Sequence, residues 1–313
     1  MSNSVSTEVL LWSLFIVFVT GALALDLGVF HRRPHIVPRK EAALWTLVWI
    51  ALALVFNILI YFWIGSESAI QFLTAYLLEK SLSMDNIFVF VVIFTYFSVD
   101  AAYHHRVLFW GIMGAVILRG LFIAGGLVLV HAFESVLLVF GAFLIFTGIR
   151  FARQKEISVN PEANPVVRLF RKFLPLTESY QGSKFLVNRN GKTFATPLFI
   201  VLLVIETTDV AFAIDSIPAA FAVTTDPLVV FTSNIFAILG LRALYFLVAA
   251  ILPRIRYLRL GLSATLVYLG FKVLIAQFYP IPIIASLLIL SVILGASMLA
   301  SAIFPKRIEP TAT

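Results

Sequence analysis

Residues 206–219 read Glu206-Thr207-Thr208-Asp209-Val210-Ala211-Phe212-Ala213-Ile214-Asp215-Ser216-Ile217-Pro218-Ala219, and residues 79–89 read Glu79-Lys80-Ser81-Leu82-Ser83-Met84-Asp85-Asn86-Ile87-Phe88-Val89. Both place an acid six residues before an aspartate, followed by a small polar residue and isoleucine: Glu79-x5-Asp85-Asn86-Ile87 and Asp209-x5-Asp215-Ser216-Ile217. Two further matches follow in the same order. Leu118-Arg119-Gly120-Leu121-Phe122 pairs with Leu241-Arg242-Ala243-Leu244-Tyr245, and Phe146-x-Gly148-x-Arg150 pairs with Tyr268-x-Gly270-x-Lys272. The offsets are 130, 123 and 122 residues. Three ordered matches at similar offsets mark an internal duplication.

The surroundings of these motifs set the class. The chain has 313 residues, 61% of them hydrophobic and 12% charged, with a mean hydropathy of +1.02. Soluble domains are nearer half apolar and a quarter charged. A soluble enzyme, a disordered tail and a basic nucleic-acid-binding domain are thereby excluded. The absence of cysteine excludes disulfides, iron–sulfur clusters and thiolate metal sites within the chain. An all-α polytopic membrane protein remains, with nine candidate spans of about 20 apolar residues: 9–30, 43–64, 68–97, 106–130, 133–150, 196–222, 228–252, 260–278 and 281–304. Span 1 has no basic leader and no small-residue cleavage site, so it reads as retained.

The basic residues alternate with these spans. Arg32, Arg33, Arg39 and Lys40 follow span 1, Arg106 opens span 4, and nine lie between Arg150 and Lys192. Arg254, Arg256 and Arg259 separate spans 7 and 8, and Lys306 and Arg307 follow span 9. The other connections and the N-terminus carry none. By the positive-inside rule the N-terminus is outside and the C-terminus cytoplasmic. The net charge of +7 then reflects topology and attraction to anionic lipid, with no nucleic-acid partner implied.

The whole chain, 1–313, reads as one transmembrane domain. Repeat A covers 68–150 and repeat B covers 196–278. They are displaced by three spans, so they lie oppositely in the membrane. This inverted-repeat plan is that of secondary transporters, whose substrate sites lie near the midplane between the repeats. Between them, 151–195 forms a cytoplasmic loop. Asn164-Pro165 suits an N-cap and N1 pair, and Val166, Leu169, Phe170, Phe173 and Leu174 share one face of an amphipathic helix. Phe185 to Thr196, centred on Asn190-Gly191, reads as a hairpin. The loop serves as an ordered linker or as a docking surface.

Ionisable residues at membrane depth point to function. Six acids lie within spans: Asp26, Glu79, Asp85, Glu206, Asp209 and Asp215. Glu79 and Asp209 fall near the midplane, with Asp85 inward and Asp215 outward of it. Glu206 and Asp209, at i and i+3, share a helix face. Glu79 and Asp85 are about 240° apart on an ideal helix, so either the helix breaks or they serve different stations. Pro218 offers a break in span 6, because it leaves the Ile214 carbonyl without its helical donor. Asn86 and Ser216 add neutral oxygens beside the aspartates. An all-oxygen set suits Mn²⁺, Mg²⁺ or Ca²⁺. The five histidines, His31, His35, His104, His105 and His131, sit in connections or at span ends, which disfavours copper, structural zinc or haem. Four bases lie in spans: Lys80, Arg119, Arg242 and Lys272. Lys272 can snorkel. The others are candidates for charge pairing or coupling with the acids, as is Asp26 with Arg32 or Arg33. Six acids exceed four bases, so pairing cannot satisfy them all, and exchange of protons for a divalent cation is a natural route to antiport. Asn57 and Asn234 read as interhelical hydrogen-bond residues.

The two quoted signatures, together with Thr224-Thr225-Asp226-Pro227 and Thr232-Ser233-Asn234-Ile235-Phe236-Ala237-Ile238-Leu239-Gly240-Leu241-Arg242-Ala243, resemble those of the TerC family of integral membrane proteins, in its Alx-like branch. The resemblance covers almost the whole chain. It implies a manganese exporter of the cell membrane whose metal ligands are Glu79, Asp85, Glu206, Asp209 and Asp215, with Mn²⁺ as transported substrate, no permanently bound cofactor and no enzymatic activity. Family names also point to tellurium resistance and membrane redox modulation. The lack of cysteine gives the second no thiol chemistry here, and an acidic outer face and interior oppose tellurite as substrate. A stress-response or assembly subunit and an alkali-cation/proton exchanger remain as alternatives.

Overall fold

The computed structural model describes residues 2–28, 37–133, 135–153, 164–173, 175–189, 191–249, 257–276 and 278–304. They form an all-α membrane protein with one small hairpin. The elements in order are α1 (Ser2–Gly28), α2 (Arg39–Trp63), α3 (Ser66–Tyr96), α4 (Ala101–Ala132), α5 (Ser135–Arg153), α6 (Pro165–Phe173), β1 (Leu186–Arg189), β2 (Lys192–Ala195), α7 (Pro197–Phe221), α8 (Pro227–Leu239), α9 (Leu241–Val248), α10 (Leu258–Ile275) and α11 (Ile283–Ile303).

Six helices, α2, α4, α5, α7, α10 and α11, are long and apolar enough to cross a bilayer, and α8 with α9, bent by 40°, makes a seventh if taken as one span. The nine-span reading counts α1 and α3 as well. In α1 the apolar stretch with described side chains is Val9–Ala22. α3 has the length, but Glu79, Lys80 and Asp85 stand in its middle. Two local expectations change. Pro218 does not end α7, which runs on to Phe221. The break falls instead at Gly240, between α8 and α9. Lys80 reaches that break, where its ammonium donates to the Ala237 carbonyl at 3.2 Å. A cation there suits a helix C-terminus with its exposed carbonyls. Lys272 likewise donates to the Ala222 carbonyl at the end of α7, at 3.3 Å.

Starts of helices follow side-chain chemistry. Asp100 accepts from the Ala102 N–H, Asp226 from the Val229 N–H ahead of α8, and Asn164 from the Val166 and Val167 N–H groups ahead of α6. Each carries one of the donors a helix leaves unsatisfied. The expected hairpin forms, paired from Leu186↔Ala195 to Arg189↔Lys192, with Gly191 at φ +77° in the turn. On α6 the buried residue is Val167, while Leu169 is exposed, so the face packed inward is rotated from the predicted stripe. Phe173 and Leu174 lie outside the residues with described side chains. The loop is fastened to the bundle. Tyr180 donates to the Phe97 carbonyl at 2.7 Å, burial pushes its phenol above the usual range, and Arg106 donates to Ser183 while lying over the Phe185 ring.

An aromatic core joins α1, α2, α3 and α8, with Phe15, Phe56 and Phe72 gathered on Phe236 at centroid distances of 5.9, 5.1 and 6.2 Å. His104 is committed to structure. It stacks on Phe94, and its ring nitrogens contact the Val99 carbonyl and the Tyr245 hydroxyl. Asn234 bonds within its own helix, to the Val230 carbonyl, and not across helices.

The main pairings are α3 on α8, α4 on α7, and α5 on α10. The last is set by glycine. A Cβ on Gly148 would meet Val267 at 2.7 Å and the Ser263 carbonyl at 2.9 Å, and one on Gly270 would overlap the Gly141 carbonyl and Ile145. These contacts map onto each other under the 122-residue offset: Gly141 onto Ser263, Ile145 onto Val267, Gly148 onto Gly270. The two helices therefore run antiparallel, and each motif glycine admits the backbone of its partner. Leucine at Gly148 or Gly270 is expected to destabilise the protein by about 1–3 kcal/mol through overpacking, seen as a lower melting temperature in detergent. Leucine at Gly125, which faces open space, should leave melting unchanged.

Candidate ion site

α3 and α7 pack together at the centre of the bundle, and the acidic signatures meet where they do. A cavity of about 30 Å³ is lined by Leu82, Asp85 and Asn86 of α3 and by Phe212, Asp215 and Ser216 of α7. These are three pairs of equivalent positions at an offset of 130. Phe151, Leu262, Leu266 and Arg119 complete the wall. The volume suits one water or one bare ion. Asp85, Asn86 and Ser216 are buried, and Asp85 Oδ2 has no hydrogen-bond partner. The Thr147 hydroxyl of α5 bonds to the Asp215 carboxylate. Among the described residues no three His, Cys, Asp or Glu side chains converge in metal-holding geometry. The donors gathered here are two carboxylates with neutral oxygens from Asn86 and Ser216.

The remaining predicted residues divide into separate stations. α3 is continuous, so Glu79 and Asp85 face differently, as their angular separation requires. Glu79 is ion-paired to Nη1 of Arg119, and Asp209 lies 3.4 Å from its Nη2. Nη1 also donates to the Ser216 hydroxyl at 3.1 Å. Glu206 shares the α4-facing side of α7 with Asp209, but its carboxyl packs where Gly114 of α4 has no side chain, and its Oε2 is buried without a partner. The structure does not bring Glu206 to the cavity. Nor does it bring Lys80, which holds the α8–α9 break, or Arg242. The latter lines a different cavity between α1, α2 and α9, of about 340 Å³, with Glu41, Trp45 and His105. The side chain of Asp26 lies outside the described residues.

A cleft of about 580 Å³ leads away from the two aspartates, past Thr147, Thr208 and Thr207 to Arg150 and Asn164. Asn164 caps α6 with its oxygen and donates its amide to Thr207 at 2.7 Å. The loop therefore contributes Asn164 to the wall of this cleft. The sequence signal for this was the N-cap pair at Asn164-Pro165, which placed a helix without placing it over the cleft. In the other direction the path is closed by apolar side chains. Residues 216–223 of α7 and its end are buried throughout, among Ile123, Leu127, Leu266 and Leu269. Since the chain has no native cysteine, single cysteines can test this asymmetry. Thr208→Cys should react with a charged thiol reagent in membranes, and Ala219→Cys should not, as read by mass shift.

The chain matches the model of the family described as integral membrane protein TerC over residues 64–309. It is 50% identical over 301 residues to the uncharacterized membrane protein STKORF319 of Myxococcus xanthus, covering 96% of this chain and 94% of the relative. It is 47% identical over 294 residues to the Escherichia coli K12 protein named "Putative membrane-bound redox modulator Alx", covering 91% of each. It is 40% identical over 298 residues to a membrane protein of Rickettsia felis, covering 95% of this chain and 99% of the relative. No solved structure matches. A multi-pass helical bundle, two acidic signatures facing one cavity and these likenesses along nearly the whole chain lead to one assignment: the protein belongs to the TerC family of integral membrane proteins.

Proposed function

We propose that the protein exports divalent metal cations, Mn²⁺ foremost, across the cytoplasmic membrane in exchange for protons. In this reading nine spans hold two inverted three-helix repeats, with the N-terminus outside and the C-terminus in the cytoplasm. The observation that carries it is the cavity lined by equivalent pairs, Leu82 with Phe212, Asp85 with Asp215 and Asn86 with Ser216. Two aspartates there give a divalent cation charge balance and hard oxygen donors. The antiparallel exchange of contacts between α5 and α10, and the matching pairs α3 with α8 and α4 with α7, support the inverted relation on which alternating access depends. The cleft on the α6 side and the apolar closure on the other fit a state facing the cytoplasm. Glu79 and Asp209 act here as partners of Arg119, and Asp85, Asp215, Asn86 and Ser216 as ligands of the transported ion.

The redox naming of the Alx relatives finds no thiol in this chain. Mn²⁺ flux in vesicles with an imposed pH gradient tests the proposal. Wild type should move Mn²⁺ and dissipate the gradient. Asp85→Asn and Asp215→Asn should each weaken Mn²⁺ binding by about 100-fold, the upper end of what losing even an outer-sphere partner costs a metal site. Flux undiminished in both variants would sink the site assignment. Na⁺-driven but not Mn²⁺-driven proton movement would point to an alkali-cation exchanger, and no flux with any ion to an assembly role.

A further inference from the structure

Arg119 is the cationic member of the cavity wall, and its counterpart across the repeat, Arg242, is elsewhere. It therefore breaks a pattern that the other motif residues of the wall keep. Its guanidinium is 1% exposed and cannot deprotonate in a protein. It is held by Glu79 of α3 and Asp209 of α7, and touches the cavity through Ser216. The network is incomplete. Arg119 Nε, Asp209 Oδ2 and Asp85 Oδ2 are all buried without hydrogen-bond partners. A purely structural ion triad would be expected to satisfy Arg119 Nε and Asp209 Oδ2, because each unpaired buried polar atom is costly.

A cation entering the cavity meets two attractive carboxylates, on which Arg259 and Arg150 also act from the start of α10 and the end of α5, and, across Ser216, the buried charge of Arg119. Charge–charge energies at a few ångströms are steep in a medium of low dielectric constant, so the position of that guanidinium tunes how tightly the ion is held. A transporter needs a site that binds and also lets go. We propose that Arg119 is a built-in counter-charge that keeps the Asp85–Asp215 site weak enough to release its ion, and that Glu79 and Asp209 hold it back far enough for the ion to enter. Arg119 is thus a positioning residue whose clamp sets the affinity. This rests on the export reading above.

Two variants move the affinity in opposite directions. Arg119→Met with Glu79→Gln removes the guanidinium while leaving the net charge of the triad unchanged. It should bind Mn²⁺ about tenfold more tightly, the equivalent of 1.4 kcal/mol, and turn over more slowly. Glu79→Gln with Asp209→Asn keeps Arg119 but frees it to approach Asp85 and Asp215, and should bind Mn²⁺ about tenfold more weakly by the same conversion. Arg119→Lys keeps the charge without the two-pronged geometry, and should retain a low affinity and measurable turnover. Binding is read by titration calorimetry of purified protein at fixed pH, and turnover by initial efflux rates in vesicles. Melting temperature and size-exclusion profiles certify each variant. A structural role predicts loss of binding and flux in both double variants and no rescue by lysine. Binding that is unchanged or weaker in the first double variant overturns the proposal while wild-type flux stands. If that variant does not fold, unchanged or tighter binding in the second overturns it, and if neither folds, loss of flux in Arg119→Lys does. Absence of wild-type flux would instead overturn the export reading.

Discussion

A guanidinium buried at the centre of a membrane domain is tolerable only when carboxylates reach it, and here they come from two different helices. Arg119 of α4 is met by Glu79 of α3 and Asp209 of α7. That requirement ties three helices together at one depth and fixes their rotation. Once Glu79 faces Arg119, the geometry of a continuous helix turns Asp85 to another side. Once Asp209 does the same on α7, Asp215 is turned likewise. The cavity between Asp85 and Asp215 is the geometric consequence of the ion triad beside it.

Glycine provides the second constraint. α5 and α10 approach until the backbone of each lies where a side chain of the other would be. In lipid there is little hydrophobic gain from bringing helices together, so close packing of small residues does that work. The same pair of helices contributes Thr147, Phe151, Leu262 and Leu266 to the site and its approach. Their packing therefore also forms part of the cavity wall.

The loop between α5 and α7 gains a role from its placement. The segment ahead of its hairpin is tied to the end of α3 through Tyr180 and to the start of α4 through Ser183, and its short helix is capped by a residue that also lines the cleft to the aspartates. Asn164 does two jobs with one side chain: the oxygen holds α6 together, and the amide holds α6 against α7.

Much was legible in the sequence alone, because lipid leaves few choices. A chain this apolar must be helical, its hairpin turn needs Gly191, and its buried acids stand out against the background. The motif repeats at 130 and 122 residues marked the residues that line the cavity and those that join α5 to α10. Other features depended on tertiary structure for definable reasons. A proline at 218 reads as a break, yet α7 runs through it to Phe221, while the true bend at Gly240 is read only once Lys80 is seen beside it. Repetition of Arg119 as Arg242 suggests equal roles, but Arg119 meets Glu79 and Asp209 while Arg242 lines the separate cavity between α1, α2 and α9. Six acids in spans look alike in a sequence. Which of them pair with Arg119 and which line the cavity beside it is decided by helix rotation and packing, and no spacing rule encodes that.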